Sequence, residues 1–169
     1  MVIGNPYEFA VILEEISSWN PGNYSLRNGI LFYCFDGTLF PSQVYTATLS
    51  HDLFDLLPRL KAIPDDQTLF TGCKDDVFRH LYLLHFPGDR EIDQECRYDI
   101  TPATFQDLHH YTFAVKGNGY VRILANKLPY IKEESTHDLT ELNTLEAIIP
   151  LESYRNTVDA LEKWYIREV

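Results

Sequence analysis

Acidic residues recur in short clusters along this chain: Glu14-Glu15, Asp65-Asp66, Asp75-Asp76, then Asp89, Glu91, Asp93 and Glu95, and Glu133-Glu134 followed by Asp138 and Glu141. Carboxylates so grouped serve acid–base catalysis, cation binding, or the attraction of a basic surface. The run from Asp89 alternates as a calcium loop does. Gln94 stands where that loop needs glycine, however, and Ile100 where it needs its bidentate glutamate. Among the six histidines, His80 and His85 are five apart, so on a helix they leave from different faces. His109 and His110 are adjacent at the start of a predicted strand, which sends them to opposite sides. Neither pair has the three- or four-residue spacing that aims two imidazoles at one zinc ion. Ser135-Thr136-His137-Asp138 places hydroxyl, imidazole and carboxylate in a row, whereas triad members converge from separate segments. Gly117-Asn118-Gly119 lacks the third glycine and following helix of a dinucleotide site.

The stretch Leu31 to Leu39 resembles the nucleophile loop of haloacid-dehalogenase-type phosphatases, in which an apolar strand leads into Asp-x-Asp-Gly-Thr. Here Cys34 occupies the position of the first aspartate, and a thiolate is a poor ligand for a hard cation. Asp36-Gly37 reads instead as the turn of a hairpin, since glycine supplies the positive φ that a tight turn demands. No catalytic or metal-binding signature stands out, and no cofactor is expected.

The elements that position these residues follow from periodicity. Tyr7 to Ile16 alternates and predicts a strand, ended by Asn20-Pro21-Gly22-Asn23. Gly29 to Phe35 is apolar enough for a central strand, and a return strand follows from Thr38 toward Leu49, bent at Pro41. Ser50 is positioned to cap a short helix bearing Leu53, Leu56 and Leu57, which Pro58 limits or kinks. A second helix starts near Asp75 and presents Val77, Leu81 and Leu84 until Pro87-Gly88. Gly88 to Glu95 is an acidic loop, and Arg97 to Thr101 a strand. His109 to Lys116 and Tyr120 to Lys127 form a hairpin around the second glycine pair, and Leu145 to Ile149 is a further strand. Leu151, Tyr154, Val158, Leu161 and Tyr165 make an apolar stripe on a C-terminal amphipathic helix from Pro150 to Arg167, with Pro150 in its first turn. The sum is an α+β fold, a mostly antiparallel sheet of six or seven strands with about three helices.

Composition narrows the function classes. The 169 residues carry 14 Lys and Arg against 25 Asp and Glu, a net charge of −11. Nucleic-acid binding needs the opposite balance. Residues 101–127 hold Lys116, Arg122 and Lys127 against Asp107 alone, so the acid lies in loops and in the C-terminal third. Three cysteines without a Cys-x-x-Cys pair suit a reducing cytoplasm. No membrane span and no signal peptide are expected.

Five segments taken in order are similar to one known family: Val2 to Ala10, Asn28 to Phe32, Asp36 to Pro41, Phe113 to Val115, and Val121 to Ala125. They resemble bacterial immunity protein family forty-two, found beside the toxins of polymorphic and contact-dependent inhibition systems. The resemblance implies a single immunity-protein-like domain over residues 1–169. It also implies a cytoplasmic, non-catalytic protein that binds the C-terminal domain of a cognate toxin. Charge makes a basic toxin domain, such as a nuclease, the expected partner, and Asp89, Glu91, Asp93, Glu95, Glu133 and Glu134 the expected contact residues, flanked by Tyr98, Tyr130 or Trp164. The rival readings from the residues are a small metal-dependent hydrolase using Cys34, Asp36 or the histidines, and a structural or adaptor domain.

Overall fold

A computed structural model describes residues 1–20, 22, 26–88 and 93–168. The first sheet begins with two strands, β1 (Val2–Asn5) and β2 (Phe9–Glu15), paired antiparallel with Val2 opposite Ile12. β3 (Asn28–Phe35) pairs with the other edge of β2, and β4 (Thr38–Phe40) returns along β3 through the Asp36-Gly37 turn. Both turn residues have positive φ, 46° and 77°, as the hairpin reading requires. The return strand does not run on to Leu49. Beyond the cis Phe40–Pro41 peptide bond it resumes only as β5 (Ala47–Thr48), which pairs with the far end of β3.

Helix α1 (Leu49–Lys61) buries Leu49, Leu53, Leu56, Leu57 and Leu60 on one side. Pro58 lies inside it and does not end it. The bond that Pro58 removes belongs to the carbonyl of Phe54, on the exposed face where water can replace it. Ser50 is a helical residue and no cap; its Oγ accepts the backbone N–H of Arg27 at 3.2 Å. Two five-residue helices, unexpected from sequence, have their first turns held by aspartate side chains. In α2 (Gln67–Thr71) the Asp66 carboxylate accepts the N–H of Leu69. In α4 (Ala103–Asp107) the cap comes from another element: the buried Asp52 of α1 accepts both the N–H and the hydroxyl of Thr104, at 2.9 and 2.7 Å. Between these short helices lies α3 (Lys74–His85), which buries Val77, Phe78, Leu81, Tyr82 and His85.

Arg97 to Thr101 is no strand. Asp99 makes one isolated bridge to Phe113, while its carboxylate pairs with Arg59 and accepts the N–H of Thr101, turning the chain away from a ladder. The second sheet has three strands, in the order β10 (Leu145–Pro150), β7 (Tyr120–Lys127), β6 (His110–Gly117), all antiparallel. A third sheet is the small hairpin of β8 (Tyr130–Ile131) and β9 (Thr136–His137). The described residues thus divide ten strands among three sheets and add five α-helices, where sequence reading expects one sheet of six or seven strands and three helices. Pro150 closes β10, and α5 (Leu151–Glu168) begins one residue after it.

Period-two alternation in the central hairpin decides where the two cores sit. Val121, Ile123 and Ala125 join Ala114 on the face that meets β2, β3, α1 and α5, a core in which Phe9 stacks on Tyr154 with ring centroids 5.8 Å apart. Tyr111, Phe113 and Val115 project to the opposite face and meet α3 through Phe78, Leu81 and Tyr82. Strands β6 and β7 are therefore buried on both sides, while β10 leaves Glu146 and Ile148 exposed on one face. Arg122 emerges among these residues and is itself buried. Its guanidinium bonds Glu146 at 2.6 Å and the carbonyls of Leu69, Phe70 and Gly72, closing the C-terminal end of α2.

Candidate interaction face

The small β8–β9 hairpin rests on the α3 side of the central sheet and is fastened there by His137. One ring nitrogen of His137, Nδ1, lies 2.7 Å from the hydroxyl of Tyr82 on α3. The other, Nε2, lies 2.9 Å from Nδ1 of His109 and 3.4 Å from the hydroxyl of Tyr111 on β6. The imidazole of His109 also stacks on Tyr130 of β8, centroids 5.1 Å apart and planes 2° from parallel. For this hydrogen bond one of the two facing nitrogens donates and the other accepts, a choice set by the tautomers. Burial first, and the neighbouring His109 second, hold the His137 imidazole below its ordinary pKa. Burial raises both tyrosines, that of Tyr111 to about 12.

A cavity of about 470 Å³ opens between this cluster and the C-terminal end of α3. Its walls include the rings of Tyr82, Phe86, Tyr111, Tyr130 and His137, with Glu134 as the charged residue among the described lining residues. Glu133 and Glu134 sit in the exposed turn between β8 and β9, where Ser135 takes a φ of 52°. Of the other acidic residues expected at an interface, Asp89 and Glu91 lie outside the described residues. Asp93 is exposed. Glu95 is engaged within the chain, with Oε2 3.0 Å from Arg97 Nε and Oε1 accepting the Arg97 N–H. Gly88, the last described residue before that segment, lines the same cavity as Glu134. Among the flanking aromatics, Tyr98 and Trp164 are buried, while Tyr130 is 42% exposed and available.

The other motifs singled out by spacing resolve into structure. Cys34 is buried on β3 with Sγ 3.5 Å from the Pro6 carbonyl, and burial raises its pKa. His110 points away from His109, into the rings of Phe40 and Tyr45, and bonds the Leu108 carbonyl at 2.7 Å. Asp138 turns from His137 to accept both polar hydrogens of Thr140, which lowers its pKa. Among the described residues no three of His, Cys, Asp and Glu gather closely enough to hold a metal ion. No helix among them is long and apolar enough to cross a membrane.

The sequence profile described as Immunity protein 42 matches residues 1–164, nearly the whole chain. This chain belongs to the Immunity protein 42 family. The crystal structure of CdiI from Burkholderia dolosa AUO158 has a similar fold, with a TM-score of 0.73, 21% sequence identity, and 96% of this chain and 99% of that chain covered. The curated proteins contain no match. The face around the β8–β9 turn combines exposed carboxylates, an exposed tyrosine and a cavity. Sequence reasoning reached Tyr130 and the two glutamates, but not Tyr82, Phe86, Tyr111, His109 or His137 as parts of one place. Their common signal was aromatic density, which a buried core carries equally.

Proposed function

We propose that this chain is the immunity partner of a bacterial toxin: in the cytoplasm it binds the toxin's C-terminal domain and silences it by contact, making and breaking no bonds. Membership of the Immunity protein 42 family over residues 1–164 carries this reading. The likeness of fold to CdiI supports a place in contact-dependent inhibition. The net charge of −11 favours a partner with a basic surface, a nuclease for instance, because complementary potentials speed encounter and reject wrong partners. Glu133 and Glu134, exposed beside the aromatic cavity, are the acids best situated to meet it. Co-expression with the toxin domain encoded beside this chain tests the proposal. Co-purification and restored growth are the expected results; a toxin that stays lethal and separate overturns it.

A further inference from the structure

The cavity between α3 and the β8–β9 hairpin has a chemistry of its own. Its rings form a continuous set, with Tyr82 centred 5.0 Å from Phe86 and 5.1 Å from Tyr111, Phe86 5.4 Å from Tyr111, and Tyr130 5.1 Å from His137. The hydroxyls of Tyr82 and Tyr111 are turned to His137, so these residues offer a guest mainly their rings. Ring faces are the negative end of the aromatic quadrupole and attract a cation within about 6 Å. Glu134 adds a full negative charge, and among the described residues no lysine or arginine lines the space. Burial lowers the pKa of His137 and so disfavours its charged form. The volume, about 470 Å³, suffices for one long side chain and falls within the roughly 300–1,000 Å³ of sites that enclose small ligands.

We propose that this cavity is the socket for one arginine side chain of the protein partner, its guanidinium laid against the rings and paired with Glu134. Arginine suits it better than lysine, because the planar guanidinium stacks on aromatic faces and is more weakly hydrated than an ammonium group. The chain's overall negative charge selects the same kind of guest. The inference rests on the immunity reading for the identity of the partner, but the chemistry of the socket can be tested without one.

The experiment titrates the full chain with N-acetyl-arginine methylamide and with its uncharged citrulline counterpart, following aromatic ring resonances by NMR. The arginine probe is expected to give saturating shifts at Tyr130, Phe86 and His137, with about fivefold weaker binding in Glu134→Gln or Tyr130→Leu. The citrulline probe is expected to give none. Equal shifts from both probes, no saturating shift, or the same resonances moving through self-association of the chain would each overturn the socket. Both variants are at exposed positions, and their thermal transitions report whether they fold. A toxin domain that binds both variants as tightly as the parent chain sinks the socket while leaving the immunity reading intact. A toxin domain that binds neither chain, with the arginine probe still captured, does the reverse.

Discussion

The hydroxyl of Tyr82 stands 2.7 Å from Nδ1 of His137, so one hydrogen bond spans 55 positions of sequence and fastens the acidic β8–β9 hairpin to α3. The contact sits at the edge of the described face and sets the position of Glu133 and Glu134. Tyr82→Phe keeps the ring in its contacts with Phe86 and Tyr111 but leaves the imidazole nitrogen without its partner. A loss of about 1 kcal/mol in denaturant unfolding is expected, with faster hydrogen exchange across residues 130–137. Unchanged exchange in the hairpin would show that His137 does not hold it.

Stability should fall on mild acidification. His85, His110 and His137 all have imidazole pKa values lowered first by burial. The unfolded chain therefore takes up protons near the ordinary value of 6.5 while the folded chain still excludes them. Stability from these groups is complete above that value and declines as pH drops below it toward the lowered values. The denaturation midpoint is expected to hold between pH 8 and 7 and to decline below about 6.5, less steeply in His137→Gln. A midpoint that rises on acidification contradicts this.

Arg122 is the buried cation of the central sheet, bound to Glu146 and to three carbonyls at the end of α2. Arg122→Met removes the charge while keeping much of the stem. It leaves Glu146 without this partner and the α2 carbonyls unsatisfied, and a cost of about 3 kcal/mol is expected in equilibrium unfolding. A loss below 1 kcal/mol, on the same scale, would mean that water takes over these bonds.

Close approach of backbone to helix makes Gly4 irreplaceable. Its φ is 102°, and a Cβ there would come within 2.7 Å of the Thr157 side chain on α5 and 2.6 Å of the Phe9 carbonyl. Gly4→Ala combines strain with a clash, so a loss of about 2 kcal/mol in thermal or chemical unfolding is expected. Gly37→Ala, whose Cβ meets nothing within 4 Å, isolates the strain of positive φ and should cost less.

Where a local signal decides the element, sequence and structure agree. Asp36-Gly37 and the glycine pair 117–119 turn hairpins, and the stripe on α5 buries Tyr154, Val158 and Leu161. Where a distant partner decides, the sequence is silent or misleading. α4 depends on Asp52 from α1, and the strand expected over Arg97 to Thr101 gives way because Asp99 meets Arg59. β1 is only four residues long and depends on its ladder with β2, so no local pattern announces it. The same division holds at the candidate face. Glu133, Glu134 and Tyr130 are visible as exposed polar and aromatic residues. His109 and His137, 28 positions apart, meet through two left-handed residues, His109 at 60° and Ser135 at 52°, which no spacing rule announces.

Charge reversal tests the role of the acidic turn. Glu133→Lys with Glu134→Lys should slow association with a basic toxin domain about tenfold at low salt and flatten its salt dependence, leaving the unfolding midpoint near that of the parent. An unchanged association rate would move the interface elsewhere.

The most direct measurement is inhibition by titration: purified toxin domain, assayed for its own activity, with increasing amounts of this chain. The account predicts a linear loss of activity ending at one chain per toxin domain, with no change in either protein's covalent mass. Full toxin activity in the presence of excess chain, or inactivation at substoichiometric amounts, would contradict it.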